Sequence, residues 1–280
     1  MSLVTMSKLL HDARNAGIGI GAFNVGNLEM VKGAVQAAEE LNTPIILQIA
    51  QVRLGHSPLG YIGPMMVQAA REARVEIAVH LDHGLTTDVI RKALDLGFTS
   101  VMFDGSGYPL EENICRTREV AGLAARFGAT LEAELGRVGG SEDGGAGHTA
   151  LCTDPGEAVR FCEATGVDAL AVAIGNAHGH YKNAPQLAFD VLEEIRRRVE
   201  VPLVLHGGSG ITDEEFRRLI RSGITKVNIA TASFESVANR VKEHMRSDGP
   251  HSFFTLNEAM VEATYENVRH HIKVFRLDDQ

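Results

Sequence analysis

Eight short apolar runs recur along the chain, and segments of helical periodicity separate them. Continuous apolar runs of this length are typical of parallel strands that are buried on both faces. Eight strand–helix alternations within 280 residues predict an α/β fold built as a (β/α)8 TIM barrel, with an open doubly wound sheet as the alternative. The runs are Ile18–Val25, Pro44–Ala50, Ile77–Asp82, Ser100–Asp104, Thr130–Leu135, Ala169–Gly175, Pro202–Gly207 and Lys226–Ala230.

The segments between the runs carry helix signals, and two stretches depart from the pattern. Thr212, followed by acidic residues, is predicted to begin a helix that ends near Gly223. The stretch 136–154 is too rich in glycine for a helix and longer than a usual loop, which indicates a mobile active-site loop or lid. The helical sequence after Ala230 exceeds one barrel helix, so we expect it to close the barrel bottom or to form an oligomer contact. The whole chain, residues 1–280, is predicted to form one domain with this extended C-terminal helical region.

Composition limits the classes of partner. The formal charge of −9 is spread along the chain with no long basic block, which argues against a nucleic-acid or anionic membrane partner. No segment approaches the roughly 20 apolar residues of a membrane span, and the N-terminus lacks the apolar core of a signal peptide. The three cysteines include no C-x-x-C pair, so reduced thiols in a cytoplasmic protein are expected.

Titratable side chains collect where the predicted strands end. In a TIM barrel the carboxyl ends of all strands meet at one rim, where the active site forms. Neutral imidazole is a suitable ligand for zinc and its neighbours in the transition series. A single histidine is more often structural than a metal ligand, but several at one rim favour a metal site. We therefore predict a metal site formed from among the residues at these strand ends: His80, Asp82, His83, Asp104, Glu132, Glu134, His178, His180 and His206.

Strand alternation leaves some choices open within this cluster. His80 and Asp82 share one phase, which would place both inside the barrel and His83 outside, unless the chain turns at the strand end. We expect His80 to be a buried, hydrogen-bonded support. His180 is an alternative ligand to His178, and Glu132 and Glu134 are expected to support the metal ligands.

A second feature, at the last two strand ends, predicts an anion site. The segments "HGGSG" (206–210) and "NIAT" (228–231) follow strands seven and eight, where barrels commonly bind phosphate. Backbone N–H groups of the glycines and the hydroxyls of Ser209 and Thr231 are suitable donors, although a plain glycine-rich turn is the structural alternative. A metal beside a phosphate predicts a phosphorylated substrate whose carbonyl the metal polarises, with Asp82 moving a proton.

These motifs, in their order, resemble those of the class II, metal-dependent ketose-bisphosphate aldolases, and most of all the branch that contains the tagatose- and fructose-bisphosphate aldolases. The resemblance covers about residues 1–245 and rests on "AFNV", "HLDHG", "EAELG" with "VGG" and "ED", "AVAIGNAHG", "VLHGGSG" and "KVNIAT". It implies reversible cleavage of a ketose phosphate or bisphosphate, such as fructose or tagatose 1,6-bisphosphate or a related ketose 1-phosphate. The products would be dihydroxyacetone phosphate and an aldehyde, formed through a zinc-stabilised enediolate.

The resemblance also implies roles for individual residues. His83, His178 and His206 would hold one catalytic Zn²⁺ per subunit, and Asp82 would act as acid and base at the substrate C4 hydroxyl. Glu142 would exchange the proton on the triose phosphate carbon. Asp104 and Glu134 would form a second metal position or support the first; a monovalent cation is a further expected cofactor, and a homodimer or homotetramer the expected assembly. The residues implied to bind substrate are Asn24, Gly179, Gly207, Gly208, Ser209, Asn228, Ala230 and Thr231.

Departures from the family pattern leave the aldehyde product open. Ala50 and Gln51 stand where many members have a small hydroxyl residue, and Ala232 stands where many have an acid. A metal-dependent sugar-phosphate isomerase or hydrolase, and a non-catalytic regulatory subunit, are the alternative functions. A Schiff-base mechanism is not expected, because Lys226 is predicted to begin its strand, at the wrong end for catalysis.

Overall fold

The computed structural model describes residues 2–140, 151–179, 185–249 and 251–278. Eight parallel strands close into a barrel in chain order, with β8 hydrogen-bonded to β1, which confirms the predicted TIM barrel over the doubly wound sheet. The strands are β1 (Ile20–Asn24), β2 (Ile45–Ala50), β3 (Ile77–Gly84), β4 (Ser100–Phe103), β5 (Thr130–Leu135), β6 (Ala169–Val172), β7 (Leu203–Leu205) and β8 (Ile224–Ile229).

Helices surround the barrel and connect successive strands. Thr212 begins α8 as predicted, with a capping box to Glu215, and Gly223 follows the end of that helix at φ 115°. None of the helices described is both long and apolar enough to cross a membrane. The helices are α1 (Met6–Ala16), α2 (Leu28–Glu40), α3 (Leu59–Glu72), α4 (Thr87–Asp95), α5 (Leu110–Phe127), α6 (Pro155–Thr165), α7 (Phe189–Arg198), α8 (Asp213–Arg221), α9 (Thr231–Arg246) and α10 (Phe253–Phe275).

The N-terminal helix, rather than the C-terminal region, closes the barrel bottom. Met6, Leu9 and Leu10 of α1 are buried against interior barrel residues that include Ile46 and Ala78. Helix α10 instead packs along α2 and α9 on the outside, and the Phe275 carbonyl accepts a hydrogen bond from Gly19 just before β1. Of the two roles expected for the C-terminal helices, closing the bottom is excluded because α1 fills that space, and the oligomer contact stays a prediction.

The glycine-rich stretch 136–154 is described only at its two ends. Arg137 and Leu151 exchange backbone hydrogen bonds of 2.8 and 2.9 Å, which brings the two ends together. Gly139–Gly140 forms a short parallel sheet with Ala177–His178 beside the barrel mouth. The start of this stretch is thus bonded directly to the segment that carries His178.

Candidate active site at the carboxyl rim

A local irregularity at the end of β3 sets the direction of His83. The β3–β4 register shifts between Leu81 and Gly84, so that one extra residue is accommodated in β3. His83 adopts a left-handed backbone conformation, with φ 41°. These two features bring the imidazole of His83 beside its neighbours at the barrel mouth, although simple alternation would place it outside.

Three histidine rings meet at the rim, one from the end of β3 and one each from the segments after β6 and β7. The ring centroids of His83 lie 4.9 Å from His178 and 4.5 Å from His206. One ring nitrogen of each lies within 4.8 Å of those of the other two. The structure therefore brings together the three histidines that the sequence predicts as metal ligands.

Carboxylates behind two of the rings favour one tautomer of each. His83 Nδ1 lies 2.8 Å from Asp104 Oδ2, and His206 Nε2 lies 2.8 Å from Glu132 Oε1. If each of these nitrogens donates its proton to the carboxylate, His83 Nε2 and His206 Nδ1 carry bare lone pairs that face one another at 2.8 Å. A carboxylate behind an imidazole is the usual arrangement around a metal-ligating histidine.

Burial keeps His178 and His206 uncharged. Burial and the neighbouring His83 imidazole lower the pKa of both His178 and His206 well below the ordinary value. Neutral imidazole is the form that coordinates a metal ion. The donor set therefore fits a transition-metal ion held by three imidazoles.

A second group of potential ligands shares His83. Donor atoms of His83, Asp104 and Glu134 also lie within 4.8 Å of one another. Burial, together with the negative charge of Asp104, raises the pKa of Glu134 to about 8. Burial alone would raise the pKa of Asp104, but the hydrogen bond and charge of His83 outweigh it and hold this pKa well below its ordinary value.

Asp82 lies next to the histidines, completely buried and held by three amide groups. Its Oδ2 accepts hydrogen bonds from Asn24 at 3.1 Å and Gln48 at 3.3 Å, and its Oδ1 accepts one from Asn228 at 3.0 Å. The Ala50 backbone N–H donates to Asn24 Oδ1 at 3.1 Å, so that the Asn24 NH₂ group is turned toward Asp82. Burial would raise the pKa of Asp82, but His83, His206, Lys226 and the hydrogen bond from Asn24 lower it below its ordinary value.

The two segments predicted to form an anion site after β7 and β8 are a loop and a helix N-terminus. Ser209 Oγ accepts a hydrogen bond of 3.0 Å from the Ala232 backbone in the first turn of α9, which joins the two segments. Thr231 is the first residue of α9, and Ala230 immediately precedes it. The N-terminus of a helix favours an anion because its N–H groups are unsatisfied and its dipole is positive there. Gly207 and Gly208 lie in the same loop, whereas Gly179 lies in the β6–α7 connection beside His178.

The structure changes the prediction for one interior residue, Lys226, and agrees with that for another, His80. Lys226 does not begin its strand, because β8 starts at Ile224, and its side chain is completely buried inside the barrel. Its Nζ donates to Glu132 Oε2 at 2.7 Å. His80 is buried as expected and its Nδ1 lies 2.6 Å from Ser100 Oγ.

Sequence reasoning missed two polar residues that support the site. Gln48 is the one amide side chain in the apolar run "PIILQIA". This exception, together with its inward phase in the strand, could have indicated that it is buried at the site. Asn176, buried within the "GNAHG" motif, donates to the His206 carbonyl at 2.9 Å and accepts from the Ile174 backbone. Glu142 and His180, both named from the sequence, lie outside the described residues.

Comparison with known proteins identifies the family. The family model described as fructose-bisphosphate aldolase class-II matches residues 4–280. A probable fructose-bisphosphate aldolase from Bacillus subtilis is 41% identical over 247 residues, covering 87% of this chain and 86% of the relative. A 6-phospho-5-dehydro-2-deoxy-D-gluconate aldolase from Bacillus velezensis is 38% identical over 285 residues, covering 98% of this chain and 96% of the relative.

A solved structure agrees with both sequence comparisons. The crystal structure of the YdjI aldolase from Escherichia coli K12 superposes with a TM-score of 0.87 at 37% identity, covering 98% of this chain and 97% of that one. The match extends over the strands, the rim and the C-terminal helices alike. The chain belongs to the class II fructose-bisphosphate aldolase family and is an aldolase, a carbon–carbon lyase.

Proposed function

We propose that this aldolase is zinc-dependent and cleaves a ketose phosphate or bisphosphate to dihydroxyacetone phosphate and an aldehyde. The observation that carries the proposal is the 2.8 Å approach of His83 Nε2 to His206 Nδ1, with a carboxylate behind each ring. Two lone pairs that face each other at this distance are stable only when they share a cation or a proton. The pKa of His206, which burial holds well below its ordinary value, favours the cation.

His83, His178 and His206 would hold the zinc ion, and Asp104 and Glu134 would support it or bind a second ion. When bound, the ion acts as a Lewis acid that draws charge from the substrate carbonyl, so that the adjacent carbon–carbon bond can break without a Schiff base. This agrees with the position of Lys226, whose Nζ is bonded to Glu132 in the barrel interior.

Asp82 would move the proton of the substrate hydroxyl at the carbon that becomes the aldehyde. Asn24, Gln48 and Asn228 donate three hydrogen bonds to this carboxylate, so it remains ionised and fixed in direction beside the histidines. An ionised, oriented carboxylate can take the hydroxyl proton during cleavage and return it during condensation.

The α9 N-terminus and the β7–α8 loop would hold the phosphate of the triose portion. Backbone N–H groups of Gly207 and Gly208, with the hydroxyls of Ser209 and Thr231, supply neutral donors beside the positive end of the α9 dipole. Asn228, Ala230, Gly179 and Asn24 would complete the contacts to the triose phosphate.

Other expectations remain proposals. Glu142 would exchange a proton at the triose phosphate carbon, a monovalent cation would assist binding, and the protein would work in the cytoplasm as a homodimer or homotetramer. Neither nucleic acid nor a membrane is proposed as a partner, since the chain is acidic, with a formal charge of −9.

The test is release of dihydroxyacetone phosphate from a panel of substrates by the purified protein. The panel contains fructose and tagatose 1,6-bisphosphates, ketose 1-phosphates and 6-phospho-5-dehydro-2-deoxy-D-gluconate, the last because a relative is named for it. We expect at least one substrate to be cleaved, with activity lost in chelator and restored by zinc or cobalt. The His206→Ala protein, prepared in the same way, is the control for contaminating aldolases.

Failure of every substrate at every zinc or cobalt concentration would reject the proposal. Release that continues unchanged in chelator, after the bound metal has been removed, would reject zinc dependence while leaving the family assignment intact. Isomerisation or phosphate hydrolysis without carbon–carbon cleavage would favour the alternative activities on the same barrel.

A further inference from the structure

A buried ion pair lies in the barrel interior, beneath the three histidines. Lys226 on β8 and Glu132 on β5 are both completely buried, and Lys226 Nζ lies 2.7 Å from Glu132 Oε2. The two strands are not neighbours in the barrel, so the pair spans its interior. Lys226 is therefore engaged in an internal contact.

The two oxygens of Glu132 serve different partners. Oε2 accepts from Lys226, whereas Oε1 lies 2.8 Å from His206 Nε2. His80 Nε2 is 3.7 Å from Oε2, beyond hydrogen-bond distance, and burial lowers the pKa of His80 well below its ordinary value. The carboxylate thus connects an ammonium group on one side with a rim histidine on the other.

An ion pair in this position is costly if stability is its only role. Desolvation of two buried charges commonly cancels their mutual attraction, and apolar side chains of similar volume are often as stable in their place. Many other interior positions of the barrel are apolar, among them Ala22, Ile46, Ala78 and Val204. The bond to His206 gives the pair a role that an apolar replacement could not supply.

We propose that Lys226 and Glu132 together act as a positioning pair for His206: Lys226 fixes the Glu132 carboxylate, and Glu132 fixes the ring and tautomer of His206 so that Nδ1 faces the metal site. Neither residue touches substrate or metal. This inference rests on the proposed function in one respect, because it takes His206 Nδ1 to be a metal ligand. The position of the His206 proton itself can be measured in metal-free protein.

The test compares three variants of the full chain with the wild type. Lys226→Met removes the ammonium group and keeps most of the side-chain volume. The two double variants, Lys226→Met with Glu132→Gln and Lys226→Met with Glu132→Leu, contain no unpaired charge and are expected to fold if the single variant does not. They form a matched pair, because both lack the two charges and only the glutamine keeps an oxygen that can accept from His206.

Two quantities are measured: the dissociation constant for zinc, by chelator competition, and the His206 tautomer in metal-free protein, by ¹⁵N-histidine NMR assigned with His206→Ala. In the wild type we expect the His206 proton on Nε2. In the leucine double variant we expect the single tautomer to be lost and the zinc dissociation constant to rise by about 10- to 100-fold. Lys226→Met should show the same changes in milder form, and the glutamine double variant should keep the tautomer and bind zinc more tightly than the leucine one.

The inference is overturned if both double variants keep the wild-type tautomer and bind zinc within about threefold of the wild type, which corresponds to a negligible change in binding. It is also overturned if the two double variants lose affinity equally, because the acceptor oxygen would then have no effect. Failure of the wild type to bind zinc would instead reject the proposed function, and the tautomer measurement would still decide the role of the pair.

Discussion

At the scale of single residues, the site depends on which way each polar group points. His83 joins the cluster because its backbone adopts φ 41° at a register shift, and Asp82 is fixed because three amides converge on it. Both residues belong to the motif "HLDHG", yet different roles are proposed for them. Because Asp82 is proposed to move a proton and His83 to hold the ion, substitutions of a proton-transfer residue and of a metal ligand should have different effects.

Asp82→Ala is expected to retain zinc and to lower the turnover number by about 10²- to 10⁴-fold, the usual contribution of a general acid–base group. His206→Ala should lose the metal itself, because it removes one of three imidazole ligands. The measurement is zinc content by atomic absorption beside the rate of triose phosphate release. Equal loss of metal in both variants would place Asp82 among the ligands and contradict its proposed role.

At the scale of secondary-structure elements, the proposed metal site is joined to the glycine-rich stretch. Gly140 pairs with His178 in the short parallel sheet, and Gly140 has φ 76°. A Cβ atom at Gly140 would overlap the His178 carbonyl. The conformation of the start of this stretch is therefore transmitted directly to one of the proposed ligands.

Gly140→Ala should displace His178 and raise the dissociation constant for zinc by about tenfold, as expected for a distortion worth about 1.4 kcal/mol. The matched control is Gly128→Ala at the end of α5, which also has positive φ, 65°, but no atom within 4 Å of an added Cβ. Both variants carry backbone strain, but only the first touches the site. The measurement is a zinc titration of both variants, and equal losses of zinc affinity in the two would contradict this account.

The sequence was sufficient to predict elements whose signals are local. The apolar runs located all eight strands, and Thr212 with its acidic neighbours located the start of α8. The register shift in β3 could not be predicted, since it depends on pairing with β4 rather than on the residues of β3 alone. Nor could the place of Lys226 inside its strand be predicted, because β8 begins two residues before the apolar run that indicated it.

At the scale of the whole molecule, the two ends of the chain complete the barrel in different places. Helix α1 fills the barrel bottom, and α10 covers the outside of β1 between α2 and α8. Sequence periodicity predicted helical structure after Ala230 but could not assign its place, because an amphipathic face fits more than one apolar surface. His271 of α10 packs against the rings of Phe23, Phe216 and Phe275, far along the chain from two of them.

This contact predicts a pH dependence of folding stability. Burial lowers the pKa of His271 to about 4, below its ordinary value of 6.5, although the bond to the Asn267 carbonyl acts in the opposite direction. Between these two values the unfolded chain binds a proton that the folded protein does not, so stability is lost as the pH falls from about 6.5 toward 4.

His271→Asn keeps an N–H donor for the Asn267 carbonyl but does not titrate. The variant should therefore lose less stability between pH 7 and pH 5 than the wild type, measured as the free energy of unfolding in urea. Part of the loss should remain in the variant, because other buried histidines also have lowered pKa values. Equal losses in the two proteins would show that His271 does not contribute.

The central claim is that a single zinc ion is held by His83, His178 and His206 beside Asp82. The most direct measurement is anomalous diffraction at the zinc edge from crystals of the zinc-loaded protein. The account predicts one strong peak at about 2.0–2.1 Å from a nitrogen of each of the three imidazoles. A peak bound instead by His83, Asp104 and Glu134, or no peak at the histidines, would contradict it.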